Sequence, residues 1–356
     1  MDEWRETLIS PDLQIYKAIE VIDRNSQQIA IVTDEEGKLL GTVTDGDIRR
    51  GILKEIPLSS PVSRIMNRNP VAIPKMNDEK YIADILKANR IRHLPVIDDA
   101  RRVIGVERLE SQITGSVKNN WVVIMAGGRG KRLEPLTDDC PKPMLKIGGK
   151  PVLQIIIEQL VRQGFLRFCI SVNYRSAQIK DHFGDGAGMG AKICYVEEKK
   201  PMGTAGSLSL LPFVTHEPIL VLNGDVLTKL NFEQLLNFHQ DHRSIATIAA
   251  AMCGFQVPFG LIRADHDHLA GFEEKPAFAG FINAGVYVLN REALDYVPVD
   301  SSFEMNDLFK TLLQNRQPVC IFPIREYWID IGGIKSYYQA CKDYEKEFGQ
   351  PGQKEE

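Results

Sequence analysis

The first third of the chain contains an internal repeat with an offset of 64 residues. Residues 31–41 align with residues 95–105, and the apolar helical positions in 18–22 align with those in 82–86. Each copy is therefore predicted to form a helix, a strand, a turn, a second strand and a second helix. Because a unit of this size cannot bury its own sheet face, we expect the two copies to pack together as one small α+β domain.

The overall composition limits the classes of function that the chain can have. Of its 356 residues, 44% are hydrophobic and 25% are charged, and the formal net charge is -4. A chain without excess positive charge lacks the electrostatic basis for nonspecific binding to nucleic acid, so no nucleic-acid partner is expected. No stretch approaches the length of uninterrupted apolar residues that a membrane span needs, so no membrane partner is expected either.

The cysteines and histidines show no metal-binding or disulfide pattern. The 6 cysteines include no C-x-x-C pair and several lie in apolar runs, which is typical of reduced, buried thiols. The N-terminal residues MDEWRETLIS are acidic and lack the apolar core of a signal peptide. We therefore expect a cytoplasmic protein. His182, His239 and His242 are expected on the surface or in helices, without a catalytic role.

The periodicity of the sequence changes after the polar segment SQITGSVKNN. We place the front domain at residues 1–116, a linker at 117–120, the rear domain at 121–346 and a polar tail at 347–356. In the rear domain, apolar runs of strand length alternate with amphipathic helices. This alternation predicts an α/β fold with a doubly wound, mostly parallel, Rossmann-like sheet that binds ligands at the carboxyl ends of its strands.

A glycine-rich segment follows the first strand of the rear domain. The sequence AGGRGKRLEPLT at residues 126–137 is followed by PKPM at residues 141–144. Glycines directly after a strand let backbone N–H groups approach a phosphate, and Arg132 and Lys142 add positive charge. Leu133 excludes the dinucleotide-binding motif, and a Walker loop would require Ser or Thr where Arg132 stands. A tight strand-to-helix turn without a ligand is the alternative interpretation.

The pair GGRGKRLEPLT and PKPM resembles the signature of the sugar-1-phosphate nucleotidylyltransferases, in particular of their mannose-1-phosphate guanylyltransferase-like members, over about residues 121–345. The resemblance implies that Arg132, Lys142 and Lys275 are catalytic. It also implies a nucleotide site formed by Ala126, Gly127, Gly128, Gly130, Gly203, Thr204, Gly206 and Asn223. The helix after Thr204 is expected to offer free N–H groups to the base, with a plain N-capped helix as the alternative.

Two aspartates are implied as ligands of Mg²⁺. Asp225 follows the apolar run PILVL, and Asp330 lies in the segment WIDIGG, but sequence alone does not show that they meet. Carboxylate oxygens beside a triphosphate favour Mg²⁺ over zinc. From the segments EEKP and INAGVY, the resemblance further implies a sugar-phosphate site formed by Glu274, Lys275, Asn283 and Gly285.

The front repeat resembles a tandem pair of CBS modules, because its first copy contains the ribose-binding pattern Gly-x-x-Thr-x-x-Asp. The resemblance implies that Thr44 and Asp47 bind a regulatory adenine nucleotide. The second copy has Arg108 and Ser111 at the matching positions, so at most one such site is expected. The alternative is that Thr44 and Asp47 only cap the following helix.

The reaction that these resemblances imply is transfer of a nucleoside monophosphate from a nucleoside triphosphate to a sugar 1-phosphate, with pyrophosphate leaving. Similar fusions of a tandem repeat to this transferase occur in bacterial pathways for nonulosonic acids such as legionaminic acid. GTP and glucosamine 1-phosphate, or a related hexose phosphate, are therefore the expected substrates. UTP, CTP or dTTP with another sugar phosphate is the alternative specificity, and a non-catalytic adenylate sensor is the alternative function. A homo-oligomer is expected, with the front repeat as a regulatory or assembly module.

Overall fold

The computed structural model describes residues 3–24, 29–75, 78–89, 91–108 and 117–348, and the chain divides into a front unit, Met1–Ile113, and a rear unit, Thr114–Glu356. The strands of the front unit are β1 (Leu8–Ile9), β2 (Ile29–Thr33), β3 (Leu39–Thr44), β4 (Ile73–Pro74), β5 (His93–Ile97) and β6 (Val103–Arg108). Its α-helices are α1 (Ile15–Arg24), α2 (Asp45–Leu53) and α3 (Glu79–Ala88).

The structure confirms the internal repeat down to the register of its strands. Each copy forms a three-stranded sheet, with order β1-β2-β3 in the first copy and β4-β5-β6 in the second. Ile9 lies opposite Val32 in the first sheet, and Ile73 lies opposite Val96 in the second, which preserves the sequence offset. Both sheets contain one parallel and one antiparallel strand pair. The same sequence pattern has therefore specified the same pairing twice.

The two copies pack against each other through reciprocal contacts of their turns. The Leu39 N–H donates to the Arg101 carbonyl at 2.9 Å, and the Val103 N–H donates to the Gly37 carbonyl at 3.0 Å. Ile31, Leu39 and Val103 form a shared apolar cluster beneath these bonds. The expected packing of the copies as one domain is thus confirmed. The second helix of the second copy, with Ser111, lies outside the described residues.

The rear unit consists of a central sheet with helices on both faces. Its strands are β7 (Lys118–Met125), β8 (Lys146–Ile147), β9 (Lys150–Pro151), β10 (Phe165–Val172), β11 (Lys192–Glu197), β12 (Ile219–Asn223), β13 (Val226–Thr228), β14 (Ala246–Gln256), β15 (Leu261–Asp265), β16 (His268–Glu273), β17 (Ala277–Leu289), β18 (Val319–Ile324) and β19 (Trp328–Asp330). Its α-helices are α4 (Val152–Arg162), α5 (Ser176–Phe183), α6 (Phe232–Asp241), α7 (Arg291–Leu294), α8 (Met305–Gln314) and α9 (Ile334–Phe348).

The central sheet has the strand order β11-β10-β7-β12-β17-β14-β18. β17 runs antiparallel to both of its neighbours, whereas the other neighbouring strands are parallel. The predicted doubly wound, mostly parallel α/β fold is confirmed. The chain leaves β7 toward β10 and β11 and then returns to the other side of β7 as β12. This reversal creates the switch point at which open α/β sheets bind ligands.

Two apolar cores explain why the central strands are continuously hydrophobic. Val122 and Ile124 of β7 face one core, and Val123 faces the other. All three side chains are fully buried. A strand covered on both faces shows no polar alternation, which accounts for the uninterrupted apolar run in the sequence. Within the described residues, no helix combines the length and apolar character that crossing a bilayer requires.

The predicted linker at 117–120 is wrong for its last three residues, because β7 begins at Lys118. The Lys118 N–H donates to the Gly164 carbonyl at 2.8 Å, and the buried amide of Asn120 donates to the Pro218 carbonyl at 2.7 Å. The strand therefore includes polar residues at its start, because their buried polar groups are hydrogen-bonded. The predicted polar tail at 347–356 also begins too early, since α9 continues through Phe348.

Residues 252–282 form an extension of the sheet that we call the β-arm. It consists of the distal halves of β14 and β17, which pair with each other, and of the hairpin β15–β16. All of its residues are described, and Pro276 is the one buried residue among them. The β-arm therefore lacks a covering layer within the described part of the chain.

His239 of α6 was predicted to be an unremarkable helix or surface residue, and the structure places it in a helix but buries it almost completely. Its ring nitrogens lie 2.9 Å from the Thr247 hydroxyl and 3.0 Å from the Asn290 side-chain oxygen. Burial lowers the pKa of His239, and the hydrogen bond to Asn290 opposes this effect.

We predict that the stability of the rear unit falls as the pH drops below about 6.5, the usual pKa of an unfolded histidine. In that range the unfolded chain takes up a proton that folded His239 does not, so the loss is at most about 1.4 kcal/mol per pH unit. Urea unfolding followed by tryptophan fluorescence between pH 5 and pH 8 measures it. The slope should flatten in His239→Gln but not in His216→Gln, a change at an exposed histidine. Equal slopes in the wild type and His239→Gln would contradict the assignment.

Candidate active site at the switch point

The candidate site lies where the parallel strands β7 and β12 end side by side. Met125, the last residue of β7, lies opposite Asn223, the last residue of β12. The glycine loop follows β7, and Asp225 follows β12 after one glycine. Gly224 donates its N–H to the Met125 carbonyl at 2.9 Å, which ties the two strand ends together. Two motifs that are distant in sequence therefore meet at one edge of the sheet.

A first cavity of about 290 Å³ lies over the glycine loop. It is lined by six residues that sequence analysis had assigned to the site: Ala126, Gly128, Gly130, Arg132, Lys142 and Asp225. Gly130 has a φ of 71°, a left-handed conformation in which a side chain would be strained. The Thr137 hydroxyl donates to the Gly130 carbonyl at 2.9 Å and fixes the return of the loop. The loop is thus shaped for close approach of an anion to the backbone.

Asp225 and Asp330 are brought together by the short antiparallel pair β13–β19. Val226 lies opposite Asp330 in this pair, and the Ile331 N–H donates to the Asp225 carbonyl at 3.0 Å. Lys142 forms an ion pair with the Asp225 carboxylate, and both side chains are mostly shielded from solvent. The meeting of the two aspartates, which sequence could not show, is a result of this strand pairing.

The electrostatics of this pair favour a bound cation. Burial raises the pKa of Asp330, and the neighbouring Asp225 raises it further, whereas Lys142 and Arg132 lower it. Two carboxylates that share a partly buried site repel each other unless positive charge lies between or beside them. The described residues contain no cluster of three or more histidine, cysteine or acidic ligands. Two carboxylates are nevertheless the protein contribution that Mg²⁺ needs when substrate phosphates and water complete its shell.

A second cavity of about 190 Å³ adjoins Asp330. Of the residues predicted for the site, it is lined by Thr204, Asn223, Asn283, Gly285 and Asp330. The side-chain oxygen of Asn223 is buried and accepts no hydrogen bond within the described residues. A buried acceptor without a donor is costly, so a ligand hydroxyl would be stabilised there.

The second cavity is also lined by polar side chains that the sequence did not indicate. The Asn283 amide donates to Asn306 at 3.0 Å, and Glu304 and Tyr287 also border the cavity. Burial raises the pKa of Tyr287 to about 12, so its phenol remains protonated. Trp328 donates its ring N–H to the Ala284 carbonyl at 2.9 Å and forms a wall. The cavity therefore combines neutral donors and acceptors with the carboxylates of Glu304 and Asp330, which suits a polyhydroxylated ligand.

The predicted helix with free N–H groups after Thr204 is wrong. Residues Gly206–Leu210 form a short 3-10 helix, and the N–H groups of Ala205 and Gly206 donate to the Phe303 carbonyl at 2.9 and 3.0 Å. Thr204 donates its N–H and its hydroxyl to the Glu304 carboxylate, at 3.1 and 2.6 Å. These hydrogen bonds between Thr204 and Glu304, which we call the latch, hold the loop against the start of α8. Gly203 and Gly206 border neither cavity described above, and instead let the loop approach residues 301–304 closely.

Gly127 lies against a carboxylate instead of lining the first cavity. A methyl group added at Gly127 would lie 2.8 Å from an oxygen of Glu198. Glu198 is oriented by the Ser171 hydroxyl at 2.7 Å and by the Met202 N–H at 3.1 Å. The sequence offered no signal for Glu198, because a Glu-Glu-Lys-Lys run resembles an ordinary solvated turn. Only the fold places this carboxylate beside the glycine loop.

Glu274 and Lys275, predicted for the sugar-phosphate site, border neither cavity. Both side chains are exposed, and they follow β16 on the β-arm. Lys275 adopts a φ of 46°, and its carbonyl accepts a hydrogen bond from the Gln256 amide at 3.1 Å. The structure therefore does not bring these two residues to Asp225 and Asp330.

Glu304 and Asn306 were missed because their sequence context is that of a helix start. Glu304 is the N-cap of α8, and Asn306 is in its first turn. Polar residues at these positions ordinarily serve the helix alone. Their place at the cavity depends on the latch to Thr204, a contact between segments 100 residues apart.

Models of known sequence families match both the rear unit and the front repeat. The family model described as nucleotidyl transferase matches residues 121–347, and the CBS domain model matches residues 6–54 and 62–106.

Two curated relatives illustrate the range of activities among similar proteins. The chain is 31% identical over 227 residues to a mannose-1-phosphate guanylyltransferase of Mycobacterium tuberculosis, covering 62% of this chain and 63% of the relative. It is 30% identical over 241 residues to a UTP-glucose-1-phosphate uridylyltransferase of Synechocystis, covering 62% of each. The chain therefore spans somewhat less than two thirds of these relatives, which differ from each other in base and sugar.

A solved structure is similar to the rear unit in fold and in sequence. HddC from Yersinia pseudotuberculosis is similar with a TM-score of 0.51 and 30% identity, covering 63% of this chain and 99% of HddC. HddC has also been solved in complex with GMP-PN.

Proposed function

The chain belongs to the nucleotidyl transferase family, and from this premise we propose that it transfers a nucleoside monophosphate from a nucleoside triphosphate to a sugar 1-phosphate. One observation carries the proposal: paired strands join Asp225, which lines a glycine-rich cavity with three cationic side chains, to Asp330, which lines a cavity with amide and carboxylate side chains. The first cavity suits a triphosphate and the second suits a sugar. The reacting phosphates would then meet at the two aspartates.

We propose that Asp225 and Asp330 bind Mg²⁺. The raised pKa of Asp330 beside Asp225 supports this, because a divalent cation relieves the repulsion between two partly buried carboxylates. When bound, the ion supplies positive charge to the phosphates during displacement of pyrophosphate. Lys142 forms an ion pair with Asp225 and adds charge at the same place.

The other residues act by positioning and by neutralising charge. The glycine loop and Arg132 would bind the β and γ phosphates through N–H groups and the guanidinium. No protein nucleophile or general base is needed, since the sugar phosphate is already an anion. Lys275 would join the sugar phosphate only after the β-arm brings it toward the site.

We propose GTP as the nucleotide, with Glu198 as the residue that selects the base. Glu198 is a fixed carboxylate beside Gly127, and a carboxylate only accepts hydrogen bonds. Guanine presents two adjacent N–H donors on one edge, whereas uracil and thymine present one donor between two acceptors. A carboxylate therefore attracts guanine and repels the carbonyl oxygens of the pyrimidines.

We propose glucosamine 1-phosphate, or a related hexose phosphate, as the acceptor. Glu304 supports an amino sugar, because its carboxylate borders the second cavity and can accept from an ammonium group as well as from hydroxyls. The protein would act in the cytoplasm on these dissolved substrates. An assay of pyrophosphate release with four nucleoside triphosphates and a panel of sugar phosphates tests both identities.

We propose that the front unit binds one adenine nucleotide at Thr44 and Asp47 and thereby regulates the transferase. In the structure, the Asp47 carboxylate accepts from the Thr44 N–H at 2.8 Å and from its hydroxyl at 2.7 Å, and pairs with Arg50. The capping interaction weighed as the alternative is therefore formed. Thr44 lies at the start of α2, where the positive end of the helix dipole and Arg50 could also receive a phosphate.

We predict that Asp225→Asn lowers turnover by on the order of 10² to 10³-fold, because one charge that neutralises the reacting phosphates is lost. Pyrophosphate release at saturating Mg²⁺ measures it, and the melting temperature should be close to that of the wild type. Asp181→Asn is the matched control, since it makes the same change at an exposed position of α5. Wild-type turnover in Asp225→Asn would overturn the metal assignment.

We predict that Glu198→Gln lowers kcat/KM for GTP by about 10 to 100-fold while the value for UTP stays level or rises. The amide can accept only one of the two guanine donors and tolerates a pyrimidine oxygen. Steady-state kinetics with both nucleotides give the ratio. Glu197→Gln, at the exposed end of β11, is the control. An equal loss for GTP and UTP would refute a role in base selection.

We predict that AMP, ADP or ATP binds the wild type once per chain at the front unit, and that Asp47→Asn abolishes this binding. The amide keeps an acceptor for the Thr44 N–H, so α2 should stay capped. Calorimetric titration of the three nucleotides decides the matter. Because coupling between sites is reciprocal, a sugar nucleotide at the rear site should change the affinity for adenylate. No heat in the wild type would leave only the capping role.

A further inference from the structure

The β-arm exposes an apolar surface that has no partner in the described chain. Its exposed large apolar side chains are Met252 (49% exposed), Phe255 (65%), Phe259 (74%), Leu261 (37%), Ile262 (62%), Leu269 (60%), Phe272 (71%), Phe278 (45%) and Ile282 (39%). Scattered exposed apolar residues are ordinary, but a concentration of this size marks an interaction surface.

The hairpin β15–β16 is amphipathic, and it is the apolar face that is uncovered. Ile262 lies opposite Phe272, and Ala264 lies opposite Leu269. Ile262 and Ala264 are two residues apart on β15 and share a face, and each of their partners lies on that same face. A register irregularity between Arg263 and Ala264 accommodates the three-residue spacing of Leu269 and Phe272 on β16. The opposite face contains the ion pair between Arg263 and Glu273, at 2.6 Å. An isolated two-stranded hairpin is marginally stable in water, so this apolar face requires a covering layer.

The ribbon formed by the distal parts of β14 and β17 repeats the arrangement. Phe255 lies opposite Phe278, and their rings stack with centroids 5.4 Å apart. Ile282 falls on the same face by strand alternation, whereas Asn283, which borders the second cavity, falls on the opposite face. The apolar face of the ribbon therefore points away from the proposed sugar site.

We propose that these two apolar faces, formed by Phe255, Ile262, Leu269, Phe272, Phe278 and Ile282, are the surface through which two copies of this chain associate. The six side chains offer on the order of 600 Å² of exposed apolar area per copy, taking about 150–250 Å² for a fully exposed aromatic side chain. Two copies would bury about 1,200 Å², the lower limit of a standard stable interface.

Charge selects a second copy over other partners. The six side chains are uncharged, so the same surface meets itself about a twofold axis without like-charge repulsion. The flanking charges of the β-arm are Arg263 and Lys275 against Asp265, Asp267, Glu273 and Glu274, an acidic balance. An anionic membrane or a nucleic acid would be repelled by this balance, since both require clustered basic residues. In the described part of the sheet, the outer edges of β15 and β16 also pair with no further strand.

Association would also order the turn that contains Glu274 and Lys275, which follows β16 directly. This consequence rests on the proposed function, in which Lys275 contacts the sugar phosphate. A covered hairpin fixes the position of the turn, so the KM for the sugar phosphate should depend on chain concentration. The association itself requires no substrate and can be measured separately.

Sedimentation of the full chain without substrates tests the surface. We expect Phe272→Lys and Ile262→Lys to lose one association step, so that their mass is half that of the wild type at equal concentration. The matched control is His268→Lys, which adds the same charge to the polar face of the same hairpin and should keep the wild-type mass. Wild-type mass in both apolar-face variants, with circular dichroism unchanged, would overturn the proposal.

Hydrogen exchange on the wild type provides a second measurement that does not depend on a variant folding. The amides of residues 261–273 should be protected at concentrations where the assembly forms and should lose that protection on dilution. Exchange that is independent of concentration would overturn the proposal. A monomeric wild type would overturn it as well, and protection of residues 261–273 in that monomer would mean that another part of the same chain covers the surface. If association is found but the KM for the sugar phosphate does not change with it, the role of Lys275 fails and the interface stands.

Discussion

Val226 lies opposite Asp330 in the pair β13–β19, and the chemistry that we propose for the rear unit depends on this contact. It places two carboxylates from distant segments in the same electrostatic environment, where burial and mutual repulsion raise the pKa of Asp330. Lys142 and Arg132 offset part of that repulsion from the glycine-loop side. Without the strand pair, Asp225 would still pair with Lys142, but the second carboxylate, Asp330, would not be held beside it.

The sheet determines where this contact forms. Val122, Val123 and Ile124 are buried in two different cores, so β7 cannot shift without exposing apolar side chains on both faces. Its end at Met125 and the end of β12 at Asn223 are therefore fixed relative to each other. The loops that follow can be rich in glycine and still be precisely placed, since rigid strands position both of their anchors.

β14 and β17 use similar side chains in two environments. Near the sheet centre, Ala249 and Val288 are buried within the core, whereas Phe255 and Phe278 in the distal part are exposed on the β-arm. Apolar residues in a strand indicate that a face is covered, but they do not identify what covers it. The packed helices cover the central part, and in our proposal a second copy covers the distal part.

Local patterns in the sequence were sufficient to predict much of this protein. The repeat specified not only two similar units but the register of both small sheets, because Ile9 and Val32 recur as Ile73 and Val96. The apolar runs and the glycine loop after Trp121–Met125 indicated the doubly wound sheet and the edge at which it binds ligands. These features depend on side-chain period and on turn chemistry, which act over a few residues.

Other features were decided by contacts between distant segments. Glu198 beside Gly127, the latch between Thr204 and Glu304, and the burial of His239 each require two segments whose meeting has no local signature. A polar residue in such a contact has the same sequence context as one on the surface, so local reasoning treated His239 as ordinary and expected free N–H groups after Thr204. The sequence by itself determined the elements, their order and the loop chemistry. The tertiary structure alone decided which polar groups face one another, because burial and strand pairing join residues that the chain keeps far apart.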